Sequence, residues 1–135
     1  MKISIEIVIN STLDNIWTTW TTPSSITQWN FASDEWCCPK AEINLEVGES
    51  FIYRMEAKDG SMGFDFSGKF TQIKTNELIE YELEDKRSVT IVFEKVNEGV
   101  KVIESFDAED ENSAKQQKDG WQCILNNFKY YVETK

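Results

Sequence analysis

The sequence predicts an α+β fold in which a curved antiparallel sheet of about six to seven strands wraps around a long C-terminal helix. Apolar and polar side chains alternate over residues 3–9, and this alternation returns at residue 41 and continues to residue 106. The apolar spacing is helical between these stretches and again from Ser113 onward. Long alternation followed by one amphipathic segment is typical of a sheet packed on a helix.

The N-terminal part predicts one strand and two short helices. Isoleucine occupies every second position from Ile3 to Ile9, as in a half-buried strand. Ser11 and Thr12 are favourable N-cap residues. An apolar stripe at helical spacing follows them and consists of Leu13, Ile16, Trp17 and Trp20. Thr22-Pro23 indicates the start of a second helix, because proline is favoured at the first helical position.

Residues 41–106 predict a meander of strands. Asp59-Gly60 and Asn97-Glu98-Gly99 supply two of its turns. Over residues 79–84, apolar side chains alternate with glutamates, so the apolar face of that strand is clear. The strand residues expected to face inward are Phe51, Tyr53, Met55, Phe64, Phe66, Gly68, Phe70, Ile79, Tyr81, Leu83, Val89, Ile91, Phe93, Val100, Val102 and Phe106.

The last element is predicted as one long helix. Ser113 and Gln116 have the spacing of a capping box. Acidic residues 109–111 precede it, where the helix dipole favours negative charge. Its apolar stripe consists of Ala114, Gln117, Trp121, Ile124, Leu125, Phe128 and Tyr131. Because Gly68 on the sheet and Gly120 on the helix carry no side chain, we expect a cavity between the sheet and the helix from about Ser113 to Val132.

Composition narrows the function. The chain has 135 residues, a formal net charge of −10 and no histidine. This charge argues against nucleic acid and anionic membranes as partners, since both require clustered Lys and Arg. Without histidine the chain lacks the commonest general base and the commonest zinc ligand, and we expect no metal and no cofactor.

Residues 1–135 are expected to form one cytoplasmic domain. The sequence contains no linker-like stretch, no internal repeat, no apolar run long enough to span a membrane and no signal-peptide core. Its cysteines are Cys37, Cys38 and Cys123, an odd number with two adjacent, so free thiols are expected. A redox role for the adjacent pair is disfavoured because Lys40 is the only nearby positive charge.

Several markers occur in order along the chain. They are Ile16-Trp17-Thr18-Thr19-Trp20-Thr21-Thr22-Pro23, Trp29, Val47-Gly48 before Phe51, Gly68, and Gly120-Trp121 with Leu125 and Phe128. Together they resemble the AHSA1-like family, the domain related to the activator of the heat-shock protein 90 ATPase, in the START-like helix-grip superfamily. The resemblance covers essentially the whole chain and implies a helix-grip fold with a pocket. The chain departs from the family pattern at Gly48-Glu49, where members often carry Gly-Gly, and lacks a histidine near residues 36–39.

Two charged residues fall on predicted apolar strand faces. Glu104 shares a face with Val102 and should lie opposite Ile91 or Phe93. A carboxylate on a core face needs a partner or a raised pKa, and either makes it a site candidate. The alternative is a bulge at the Asn97-Glu98-Gly99 turn that slips the register and exposes Glu104. Arg87 either reaches the pocket or extends to solvent from its strand end.

Trp29, Asn30 and Trp36, around the end of the second helix, are expected at the mouth of the cavity. For Trp29 and Trp36, packing in the core is the alternative. We predict no catalytic residue and no metal ligand. The predicted ligand-binding residues are Trp29, Asn30, Trp36, Tyr53, Met55, Phe64, Phe66, Tyr81, Arg87, Ile91, Phe93, Glu104, Phe106, Trp121 and Leu125.

Three functions are consistent with these patterns. The first is non-enzymatic binding of a small apolar or amphipathic molecule with Glu104, helped by Arg87 or Asn30, as its polar anchor. The second, implied by the resemblance, is a co-chaperone-like module whose acid-rich segment, residues 77–111, docks on a chaperone with a basic surface. The third is an enzyme similar to the cyclases and dehydrases of the superfamily, with Glu104 as general acid or base and Tyr53 or Tyr81 assisting. Both a monomer and a homodimer fit the sequence.

Overall fold

The computed structural model describes residues 1–109 and 113–135, which form a seven-stranded antiparallel sheet and three helices. The elements in chain order are β1 (Lys2–Ile9), α1 (Leu13–Thr21), α2 (Pro23–Trp29), β2 (Trp36–Ile43), β3 (Ser50–Ala57), β4 (Gly63–Lys74), β5 (Leu78–Leu83), β6 (Ser88–Val96), β7 (Gly99–Asp107) and α3 (Ala114–Thr134). The predicted α+β architecture is therefore confirmed.

The start of β2 differs from the prediction. The strand begins at Trp36 rather than at Ala41. A register irregularity between Cys37 and Lys40, around Pro39, interrupts the alternation of side chains. Because the alternating pattern is lost at such a bulge, the first residues of β2 could not be recognised from periodicity.

The sheet has the strand order β1-β7-β6-β5-β4-β3-β2. All neighbours are consecutive in sequence except β1 and β7, which pair over the whole length of β1. Helices α1 and α2 connect the two edge strands, and α3 packs against β1 and α2. The sheet curls around the helices, so its concave face encloses the interior.

The helix starts follow the predicted signals. Thr12 caps α1 by accepting a hydrogen bond from the backbone N–H of Asn15. Pro23 occupies the first turn of α2. Ser113 and Gln116 form the full capping box at the start of α3. The acidic residues Asp110 and Glu111 lie outside the described residues.

Aromatic packing joins the three helices at one end of the concave face. Trp20 lies 4.9 Å from Trp29 and 4.8 Å from Phe128, measured between ring centroids. Trp20 also contacts Phe93 of β6 at 5.8 Å. The indole N–H of Trp29 donates to the carbonyl oxygen of Thr19. Through these contacts the aromatic side chains pack closely at this end of the concave face.

Gly68 does not leave space for the cavity, contrary to the prediction. A Cβ built at Gly68 would lie 2.9 Å from Cε1 of Phe51 and 3.0 Å from the carbonyl oxygen of Glu82. The space beside Gly68 is thus already filled by the Phe51 ring. A Cβ at Gly120, in contrast, meets nothing within 4 Å.

The three cysteines Cys37, Cys38 and Cys123 are free. Within residues 1–109 and 113–135, no group of three or more Cys, Asp or Glu residues is arranged to hold a metal ion. None of the helices described is both long enough and apolar enough to cross a membrane.

The two glycines provide a matched test of this packing. Gly68→Ala should lower the free energy of unfolding by about 1–3 kcal/mol, because the new methyl group overpacks the Phe51 ring. Gly120→Ala should raise it by about 1 kcal/mol, since alanine is the better helix former and has room. Urea denaturation measures both. A neutral Gly68→Ala would show that Phe51 moves freely and that the inner face is not closely packed there.

Candidate ligand-binding cavity

A cavity of about 290 Å³ lies between the concave face of the sheet and the helices. This volume is just below the usual range for small-molecule sites, which begins at about 300 Å³. Its wall combines residues from both sides of the fold, and these are Trp20, Trp29, Asn30, Tyr53, Met55, Phe64, Phe66, Tyr81, Arg87, Glu104, Glu109, Trp121 and Ile124. The cavity is therefore predominantly aromatic with a few polar groups.

Ring packing fixes part of this wall. Trp121 of α3 stacks on Phe106 of β7, with centroids 4.0 Å apart and an interplanar angle of 11°. Phe66 lies 6.1 Å from Trp121 and 6.4 Å from Tyr81, nearly perpendicular to both. Phe106, which is fully buried, thus acts from behind the wall by holding Trp121 in place.

Strand register brings Glu104 to the inner face of the sheet. Glu104 on β7 pairs with Ile5 of β1 on one side and with Ile91 of β6 on the other. The β6–β7 pairing runs without a register shift from Val96 and Gly99 to Val89 and Phe106, so the bulge considered as an alternative is absent there. Glu104 is only 6% exposed, between two buried isoleucines.

The Glu104 carboxyl has no protein partner in the part of the chain that the structure describes. No hydrogen bond or ion pair there involves it. Every fully enclosed polar side-chain atom in this part has a hydrogen-bond partner, so the unpartnered carboxyl must border open space. That space is the cavity, whose wall includes Glu104. Burial raises the pKa of Glu104 to about 8, so the carboxyl is mostly protonated at neutral pH.

Two tyrosines add further hydroxyl groups to the wall. Burial raises the pKa of Tyr81 well above its ordinary value, and the nearby Glu104 raises it further. Burial also raises the pKa of Tyr53, with a smaller effect from Cys38. Both phenols are therefore neutral at physiological pH, and each can donate one hydrogen bond to a ligand.

Asn30 follows α2 and lies against sulfur atoms. Its amide Nδ2 donates to Sδ of Met55 at 3.4 Å and to Sγ of Cys38 at 4.0 Å. Sulfur is a weak acceptor, so Asn30 retains hydrogen-bonding capacity toward the cavity. Burial raises the pKa of the Cys38 thiol, which keeps this thiol protonated and lowers its reactivity.

Arg87 is held by acidic residues at another part of the wall. Its Nε donates to Oδ2 of Asp85 at 2.6 Å, and its Nη1 lies 3.9 Å from Oε2 of Glu109. The side chain is 24% exposed. Arg87 thus lines the cavity and also reaches solvent, and it forms no ion pair with Glu104.

The structure brings most of the predicted ligand-binding residues together on the cavity wall. These are Trp29, Asn30, Tyr53, Met55, Phe64, Phe66, Tyr81, Arg87, Glu104 and Trp121. The predicted residues that lie outside the wall are Trp36, Ile91, Phe93, Phe106 and Leu125.

Those outside the wall are displaced for two reasons. Ile91, Phe106 and Leu125 are fully buried in the core, and Phe93 is covered by Trp17 and Trp20 of α1. Trp36 instead contacts the wall residue Phe64, at 6.1 Å between ring centroids, and is not itself part of the wall.

Three wall residues were missed from the sequence: Trp20, Ile124 and Glu109. Trp20 and Ile124 lie on helical stripes that the sequence assigns to core, and periodicity does not separate core from cavity wall. Glu109 follows the end of β7, where strand parity no longer applies.

Comparison with known proteins relates most of the chain to one family. A family model described as "Activator of Hsp90 ATPase homolog 1-like protein" matches residues 10–133. The solution structure of an AHSA1-like protein from Aeromonas hydrophila is 43% identical with a TM-score of 0.93, covering 98% of this chain and 92% of that one.

Two further solved structures extend the comparison. A protein from Cytophaga hutchinsonii is 45% identical with a TM-score of 0.86, again covering 98% of this chain and 92% of that one. A protein from Chromobacterium violaceum, 18% identical with a TM-score of 0.87 over 99% of both chains, shares the fold alone. No curated protein shows significant similarity.

Burial of Glu104 predicts a specific pH dependence of stability. Its pKa is higher in the folded protein than the ordinary value of 4.5, so the unfolded chain releases this proton first as pH rises. Wild-type stability should therefore fall, relative to Glu104→Gln, by about 1.4 kcal/mol per pH unit between about pH 5 and pH 8.

Urea denaturation of both proteins across this range measures the difference. Glu94→Gln is the matched control, because Glu94 lies on the exposed face of the neighbouring strand. If the free energies of unfolding of wild type and Glu104→Gln differed by a constant amount across this pH range, Glu104 would already be ionised in the folded protein.

Proposed function

The chain belongs to the family of activator of Hsp90 ATPase homolog 1-like proteins, and we propose that it binds a small, largely apolar ligand in the cavity. One observation carries this proposal: the Glu104 carboxyl is buried, has no partner among the described residues and borders the cavity. An unpartnered buried polar group costs stability. A ligand with one polar group would provide the missing partner.

The remaining wall suits the apolar part of such a ligand. Aromatic side chains dominate it, and Met55 and Ile124 add aliphatic surface. Burial of apolar ligand surface in this wall would supply most of the binding free energy, and Glu104 would orient the ligand. The free cysteines support a reducing compartment such as the cytoplasm as the place of this function.

An enzymatic role has less support. Glu104, protonated at neutral pH, could act as a general acid with Tyr53 or Tyr81 beside it. The cavity wall described here includes no Ser, Thr, Cys, Lys or His that could serve as a nucleophile. The residues of the wall therefore support ligand binding better than they support catalysis.

A co-chaperone-like role would agree with the name of the family and with the net charge of −10. On the outer face of the sheet, however, basic residues are interspersed with acidic ones. Lys101 lies 3.5 Å from Glu6 and pairs across the strands with Glu94, and Lys69 pairs with Glu82. This mixture gives weaker support for docking on a basic surface than the composition suggests.

Native mass spectrometry of protein purified from its own host tests the binding proposal. We expect a bound small molecule that is lost on denaturation. Ile124→Trp, which places a larger side chain in the cavity wall, should reduce its occupancy at least several-fold. Tyr130→Trp is the matched control, since Tyr130 lies on the same helix but is 69% exposed.

Other outcomes would redirect the assignment. Equal occupancy in both variants would place the bound molecule outside the cavity. A bare protein that instead retains heat-shock protein 90 in a salt-sensitive manner would favour the co-chaperone role. A bound molecule that is chemically altered in the wild type but not in Glu104→Gln would favour the enzymatic role.

A further inference from the structure

We infer that the polar group of the cavity's ligand is an organic cation, such as a quaternary ammonium, which lies against the Glu104 carboxylate and the aromatic rings beside it. This inference rests on the proposed function, because it specifies the class of ligand for the same cavity. Three features of the wall support it.

The first feature is an acidic group without a cation. Glu104 forms no ion pair with any residue that the structure describes. Among the described residues of the cavity wall, Arg87 is the only basic one. Arg87 already contacts Asp85 at 2.6 Å and Glu109 at 3.9 Å. A buried carboxylate is normally paired, and no protein cation is placed to pair with this one. A ligand cation would fill that role.

The second feature is the arrangement of aromatic rings near Glu104. Tyr81, Phe66 and Trp121 line the same cavity as Glu104. Phe66 stands nearly perpendicular to both Tyr81 and Trp121, so rings with different orientations border the same space. The faces of aromatic rings attract cations, and sets of such rings bind quaternary ammonium groups. The electron-rich oxygen of a carbonyl ligand would gain nothing from these faces.

The third feature is the sign of the surrounding charge. Asp85 and Glu109 both lie against Arg87, the basic residue of the described wall, and the whole chain carries a net charge of −10. Such a field raises the local concentration of cations and disfavours anions. A carboxylate or phosphate ligand would meet no unpaired basic residue on the described wall.

Because a cation binds only the ionised form of Glu104 tightly, the affinity of the cavity for a cation should depend on pH. The other titratable groups on the wall are Tyr53, Tyr81, Arg87 and Glu109, and the pKa values of both tyrosines are raised, so neither ionises near pH 8. Helices α1 and α3 present uncharged residues to the cavity, and the strand neighbours of Glu104 are isoleucines. A cation binds the ionised carboxylate, so its affinity should rise with pH up to about 8. A neutral acceptor would instead bind the protonated carboxyl and lose affinity above that pH.

Phenyltrimethylammonium and tert-butylbenzene form a suitable pair of probes, since they share size and shape and differ in charge. Binding is measured by calorimetry and by quenching of the wall tryptophans. At about pH 8.5 the ammonium should bind the wild type at least about tenfold more tightly than the hydrocarbon. Its affinity should fall by roughly tenfold per pH unit below about pH 7, whereas that of the hydrocarbon should stay nearly constant.

Variants separate the carboxylate from the rest of the wall. In Glu104→Gln the preference for the ammonium and its pH dependence should both be lost, and Glu94→Gln should retain both. The pH dependence of the wild type tests the inference even if a variant does not fold. Equal or tighter binding of the hydrocarbon, an unchanged preference in Glu104→Gln, or no binding of the ammonium at any pH would overturn it.

These failures can be distinguished from failure of the proposed function. If tert-butylbenzene binds in the cavity and the ammonium does not, apolar binding stands and the cation is excluded. If neither probe binds and no molecule co-purifies with the protein, both proposals fail.

Discussion

The position of the site depends on one constraint: strand β7 pairs with β1 along one edge and with β6 along the other. Val100, Val102 and Phe106 of this strand are fully buried, and exposing each would cost about 1.5–3 kcal/mol. A slip of one residue would expose all of them at once, so their burial also fixes Glu104 on the inner face. Gly99 supports this register at the β6–β7 turn, where its positive φ and its contact with the Ile9 carbonyl leave no room for a side chain.

The fold thereby holds the Glu104 carboxyl in a buried position that lowers the stability of the folded chain. Glu104 gains no hydrogen bond among the described residues, and its burial favours the neutral form. The surrounding apolar core offsets this cost without removing it. A ligand that pairs with Glu104 would stabilise the folded chain by mass action, so stability and binding are linked through one side chain.

The helices divide the concave face into two parts. Near β6, the packing of α1 and α2 with Phe93 and Phe128 leaves well-packed core. Toward β3–β5, the α3 side chains Trp121 and Ile124 cover the sheet without filling the space beneath them, and the cavity remains. Inward positions on neighbouring strands thus become core or cavity wall, depending on whether a helix side chain packs directly on them.

The sequence by itself determined the element order, the helix starts and the side of each strand that faces inward, because caps and side-chain periodicity are local properties. It also placed Glu104 inward, since parity along β7 is local once the turn is known. Only the tertiary structure decided that Gly68 accommodates Phe51, that Ile91 and Leu125 are core, and that Trp20 and Ile124 line the cavity. Where the concave face stays open is set by how the helices cross a curled sheet, and that depends on contacts between residues distant in sequence.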